Sequence, residues 1–170
     1  LLEWYLATTG RELLEHVELP EQNKWNYKSN QALRPILVGH SAGGHLALRA
    51  AQTGLAIDGV VGLAPITDLV SYGAESGSCQ SMVAPFMGDE IYSPNENYRD
   101  ASVNLKAITV PVAVVIGEED PIVGATQVAV FDSGQVTKVK GAGHFDVIHP
   151  KTEAFNAVLK ALKAIREKGQ

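Results

Sequence analysis

The chain has a single cysteine, Cys79, so no internal disulfide can form and no second thiol is present for a metal cluster. It has no excess of basic residues: 14 Lys and Arg stand against 19 Asp and Glu, a formal net charge of −5. That balance supplies no basic stripe for nucleic acid or for an anionic membrane surface. No apolar run approaches the roughly 20 residues that a membrane-spanning helix needs. Residues 1–17 are interrupted by Glu3, Arg11, Glu12 and Glu15, which is not the pattern of a secretory leader. A cytoplasmic location is therefore favoured, although the chain does not begin with methionine and a targeting signal upstream stays open. Repeats and low-complexity tracts are lacking too. What the chain does have is a 45% share of hydrophobic residues over 170 positions, enough for one packed domain and scarcely for two.

Apolar spacing divides the chain into alternating elements. Leu2, Leu6, Leu13, Leu14 and Val17 recur at roughly helical spacing and predict a helix over 1–17. Residues 18–34 are polar, contain Pro20 and read as a loop. "PILVG" at 35–39 reads as a short buried strand, 42–52 as a helix and 57–65 as a second strand. The span 66–106 mixes Gly, Ser, Asn and Pro with short apolar groups and reads as irregular with short helices. "VPVAVVIG" at 110–117 is the strongest strand pattern in the chain. A short helix over 123–131, a strand over 135–139 and an amphipathic helix over 152–168 follow. Such alternation predicts an α/β fold. Its strands should form a mostly parallel sheet in chain order, with right-handed crossovers and helices on both faces.

Gly39-His40-Ser41-Ala42-Gly43 fits G-x-S-x-G and stands directly between "ILV" and a helical pattern. A serine on so sharp a strand-to-helix turn is exposed at the end of the sheet, and the flanking glycines let neighbouring backbone pass closely. The N–H of Ala42 would face a developing oxyanion, with the positive end of the helix behind it. A glycine-rich turn that merely packs closely is the plain alternative. A serine nucleophile also needs a base and an acid that orients it. In proteins built around such a turn the chain order is serine, acid, histidine. His144, in "GAGHFDVI" after the last strand, holds the position for the base. Asp120, in "EEDPIVG" beyond the end of the 110–117 strand, holds the position for the acid. Glu118, Glu119 and Asp146 are its rivals, and an exposed loop carboxylate is the plain alternative for each. His40 reads as packing beside the turn and His45 as lying one turn inside the helix; His16 and His149 have no catalytic setting.

"VGHSAGGHLAL", "APITDL", "PVAVVIGEEDPIV" and "GAGHFDVIHP", in that order, resemble the α/β-hydrolase superfamily. Within it they are similar to the esterase and lipase branch of feruloyl esterases, arylformamidases and prolyl-oligopeptidase-like hydrolases. The resemblance runs from about residue 35 to the C-terminus. It implies Ser41 as nucleophile, Asp120 as acid, His144 as base and the Ala42 N–H in the oxyanion hole, with no metal or organic cofactor. The family's strands before the serine turn, and its His-Gly-Gly type loop, have no counterpart here, and Gly124 replaces a usual proline. The chain thus looks like the C-terminal half of an esterase, with the N-terminal strands of the fold absent. That leaves the serine strand as an exposed edge, which residues 1–34, a second copy or strands from upstream sequence could cover; pairing into a homodimer is the expected cover if this chain is the whole gene product. Segment 66–106 would form the cap or acyl pocket, lined by Met82, Phe86, Met87 and Tyr92, with ordinary core packing as the plain alternative. The expected activity is hydrolysis of small carboxylic esters through an acyl-enzyme. A truncated, weakly active or non-catalytic binding module is one alternative; an amidase or peptidase with the same triad is another.

Overall fold

Short runs of β-branched residues build the centre of the computed structural model, which describes residues 34–168. The helix expected over 1–17, and all but the last residue of the loop expected over 18–34, lie outside the described residues. Four strands form the sheet: β1 (Ile36–His40), β2 (Gly59–Leu63), β3 (Val112–Gly117) and β4 (Val136–Val139). All pairings are parallel and the spatial order is the chain order, β1-β2-β3-β4, as the alternation predicts. Val38 stands beside Val61, Val61 beside Ala113, and Val115 beside Thr137.

A parallel sheet needs both faces covered, because its crossovers run over them. Strand periodicity sends Val60, Val114 and Ile116 to one face, where Ala47, Leu48 and Ala51 of helix α1 (Ala42–Ala51) meet them. Val61, Leu63 and Val115 point to the other face and pack on Ala154, Val158 and Ile165 of helix α5 (Glu153–Lys168). Val60, Val61, Val114 and Val115 are fully buried, each contributing about 1.5–3 kcal/mol of apolar burial. Between β2 and β3 run the short helices α2 (Leu69–Ala74), α3 (Val83–Met87) and α4 (Glu96–Ala101), in keeping with the irregular reading of 66–106.

Most element boundaries have a local cause. Strand β2 stops at Leu63, short of the expected residue 65, because Ala64 turns the backbone to a φ of 44°. Strand β3 begins after Pro111, which has no N–H to give to a ladder and instead accepts from Val60 N at 3.0 Å. Helix α5 starts one residue after Thr152, whose Oγ1 accepts from Phe155 N at 3.1 Å as an N-cap. The helix expected over 123–131 is a correction: only one tight turn forms, at Ala125–Val128. The reason is Gln127, which is fully buried and spends its side chain on residues 67–71, pinning the segment before a second turn can follow.

Candidate active site

Ser41 is one of two non-glycine residues with a positive φ among the described residues, the other being Ala64. Ser41 has φ 55° and ψ −118°, a region that side chains other than glycine enter at a cost of about 1–3 kcal/mol. The turn is held by Ser41 N donating to Leu63 O at 2.9 Å and by His45 N donating to Ser41 O at 3.1 Å. Gly39 has to be glycine, since a Cβ there would overlap the Gly43 carbonyl as α1 begins. Serine is a favoured N-cap, yet the Ser41 side chain makes no capping hydrogen bond. Its hydroxyl is thus not spent on the helix it precedes. Ala42 opens α1, where backbone N–H groups have no intrahelical acceptor and can serve an incoming oxyanion.

Asp120 and His144 meet. His144 Nδ1 donates to Asp120 Oδ2 at 2.7 Å, and the two side chains are 4% and 1% exposed. A carboxylate oxygen can only accept, so the proton sits on Nδ1 and leaves Nε2 with the lone pair that a base needs. The other carboxylate oxygen, Oδ1, accepts from Ile122 N at 2.8 Å and Val123 N at 2.9 Å, which fixes the rotamer. The histidine loop lies across the acid loop: Glu119 N donates to Ala142 O at 3.0 Å, and a Cβ on Gly117 would overlap that same carbonyl. Asp146, a rival for the acid, is occupied otherwise, its Oδ2 accepting from Gly143 N at 2.7 Å. Glu118 and Glu119 are exposed. No hydrogen bond joins the Ser41 hydroxyl to His144 among the described residues; such bonds are often long in the free state and tighten with substrate.

His40 does more than pack beside the turn. Its Nε2 donates to the His144 carbonyl at 2.9 Å, and the two rings lie 4.5 Å apart. Burial lowers the His40 pKa first of all, and the neighbouring His144 lowers it further, against the hydrogen bond and Asp120, which raise it. His45 is buried inside α1, with Nδ1 donating to Ile66 O at 3.2 Å, and burial pushes its pKa down to about 4. Tyr72 is buried with its hydroxyl unpaired, and burial followed by nearby Cys79, Asp120 and Glu75 raises its pKa to about 12.

The four residues read as pocket lining are spread unequally. Met82 is 56% exposed. Phe86 is half-buried with its ring edge-on to His45 at 6.4 Å, and Met87 packs against the core. The Tyr92 hydroxyl donates to Val70 O and its ring lies against Tyr98, so it braces the helices of the segment. Sequence reasoning missed Phe145, which is 62% exposed and stands edge-on to the His144 ring at 5.1 Å. A bulky apolar residue directly after the candidate base was the available signal. Among the described residues no group of three or more His, Cys, Asp or Glu side chains is placed to hold a metal ion.

Residues 2–158 match the model of the alpha/beta hydrolase family. No curated protein sequence matches the chain. Among solved structures it is similar to an acylaminoacyl peptidase of Pyrococcus horikoshii, with a TM-score of 0.59 and 19% identity over 75% of this chain and 23% of that one. It is similar to a monoacylglycerol lipase of Paleococcus ferrophilus, with a TM-score of 0.56 and 20% identity over 78% of this chain and 69% of that one. A third likeness is to alpha/beta hydrolase domain-containing protein 10 from mouse, with a TM-score of 0.56 and 19% identity over 95% of this chain and 69% of that one. The chain thus spans about a quarter of the length of the Pyrococcus enzyme. At these identities the likeness is one of fold.

Proposed function

The chain belongs to the alpha/beta hydrolase family, and from that premise we propose that it is a serine hydrolase cleaving small carboxylic esters. Ser41 attacks the ester carbonyl while His144 Nε2 takes its proton. Asp120 keeps the imidazole in the tautomer with hydrogen on Nδ1 and stabilises its charged form. The Ala42 N–H and the N-terminal end of α1 stabilise the oxyanion. The alcohol leaves with the proton held by His144; water then attacks the acyl-enzyme through the same groups. Met82, Phe86, Met87 and Tyr92 belong to the acyl side in this reading, with Met82 closest to solvent. The observation that carries the proposal is the buried 2.7 Å contact between His144 and Asp120, at the end of the sheet where Ser41 is held in a strained turn with its hydroxyl uncommitted.

A fluorophosphonate label tests it, because labelling requires an activated serine. The wild-type chain should label and turn over p-nitrophenyl esters. Ser41→Ala should lose labelling and at least about 10⁴-fold in kcat without unfolding. Turnover unchanged in Ser41→Ala would sink the assignment. Amide cleavage by the same groups is separated by offering an ester and an amide of one acyl group; faster amide turnover would overturn the ester reading.

A further inference from the structure

Ser41 and His144 start from opposite edges of the sheet. The serine follows β1, the histidine follows β4, and β2 and β3 lie between. Three strand spacings amount to roughly 14 Å, so the histidine loop has to return across the strand ends to reach the serine. The Asp120 contact fixes how the imidazole is turned, and the Gly143–Asp146 bond shapes its loop. Neither ties the loop to the serine turn. Among the described residues one hydrogen bond joins residues 140–152 to residues 36–45, the bond from His40 Nε2 to the His144 carbonyl at 2.9 Å. The acceptor is a carbonyl, so Nε2 carries the proton. The His40 ring also backs the His144 ring at 4.5 Å, and Phe145 closes the group at 5.1 Å from His144 and 5.8 Å from His40.

We propose that His40 is a positioning residue for His144, a bracket carried by the serine turn that sets the base at the reach of the nucleophile. His40 touches neither substrate nor the transferred proton. It acts through the main chain of the base, and the residue between the first glycine and the serine is thereby a working part of the site. The inference rests on the serine-hydrolase reading above. A displacement of about 1 Å at a reacting centre costs up to a hundredfold in rate, which sets the size of the effect.

Two substitutions divide the roles of donor and ring. His40→Gln places an amide N–H near the position of Nε2 and removes the ring. His40→Phe keeps a ring and removes the donor. On p-nitrophenyl butyrate, His40→Gln should keep kcat within about threefold, and His40→Phe should lose about tenfold to a hundredfold in kcat with KM nearly unchanged. If His40→Phe does not fold, His40→Asn takes its place, since its amide reaches only the position of Nδ1. A second readout is independent of turnover. The His144 Nδ1 proton, followed by NMR, should exchange with water faster in His40→Phe than in wild type or His40→Gln. Wild-type kcat in His40→Phe, or an unchanged exchange rate, would overturn the proposal. If the wild-type chain neither labels nor turns over, the hydrolase reading falls, and the proton exchange alone decides whether His40 positions His144.

Discussion

Two regions leave the same end of the sheet and are held in different ways. The loops after β3 and β4 are fixed by backbone groups. Asp120 accepts two N–H bonds from its own loop, Asp146 accepts one from Gly143, and Glu118 and Glu119 tie the acid loop to Val139 and Ala142. Segment 64–111 packs Ile66, Leu69, Tyr72, Val83, Tyr98 and Ala101 into the core and is otherwise tied by single side chains that cross between it and the rest of the molecule. Gln127 receives Thr67 N and Asp68 N, His45 reaches Ile66 O, Gln80 reaches Ile122 O and Arg49 reaches Ser102 O. The same segment leaves Met82 56% and Ile91 78% exposed. The candidate chemistry thus sits on loops whose geometry the main chain enforces, while the candidate recognition side rests on apolar packing and a few side-chain fasteners. Damage to the first should change rate at constant stability, and damage to the second should change stability first.

The largest effect should come from the acid. Asp120→Asn should lower kcat by about 10⁴-fold, because an amide can donate to the imidazole and favour the wrong tautomer. Asp146→Asn should cost far less, since it disturbs one loop bond and leaves the His144 contact in place. Steady-state kinetics of the two variants decide the matter, and a reversed ranking would move the acid to Asp146.

What the sequence made legible has the same division. Ser41, Asp120 and His144 stand where a strand runs into a turn that only certain residues allow, so short motifs mark them. Gly39 and Gly117 are part of the same local requirement, each sitting under a carbonyl that a Cβ would strike. The fasteners left no such trace. Gln127 lies in "GATQVAV", which reads as helical, and nothing in those residues says that its side chain turns inward to Thr67, 60 positions away. His40 meets a residue 104 positions away. The end of β2 at Leu63 is not legible because a positive φ at alanine goes against the preference of its residue type. Local geometry is written in local sequence; a long-range side-chain bond is not.

The next effect in size tests the fasteners directly. Gln127→Ala would leave the buried Thr67 N and the half-buried Asp68 N without their acceptor. At about 2 kcal/mol for the buried donor and less for the half-buried one, the variant should lose about 3 kcal/mol of stability in urea while the folded fraction keeps the wild-type turnover of p-nitrophenyl butyrate within about tenfold. A loss below about 1 kcal/mol would show that the segment is held by its apolar contacts instead.

The smallest expected effect is the acid sensitivity of the seam at His45. The folded pKa lies near 4 against 6.5 for the free side chain. Above pH 6.5 both states are neutral and the group has no effect. Between 6.5 and about 4 the unfolded chain binds a proton that the folded chain refuses, so stability falls as pH falls. The full loss is about 3 kcal/mol. His45→Asn keeps a donor near the position of Nδ1 without the titration. Urea midpoints at pH 7 and pH 4.5 should therefore diverge more in wild type than in the variant, and equal slopes would exclude the seam.

The strand order has one more consequence, which concerns the time at which the site comes into being. The crossovers 41–58 and 118–135 are 18 residues each, and the one between them, 64–111, is 48. Closing the longer loop costs about 0.9 kcal/mol more in chain entropy by the logarithmic length rule. Short closures make two units, β1 with β2 and β3 with β4. Ser41 belongs to the first, and Asp120 and His144 belong to the second. Each unit can assemble its own half of the machinery, and neither half can act alone. The candidate nucleophile meets its candidate base only at the closure that joins the two, the entropically dearest step in building the sheet.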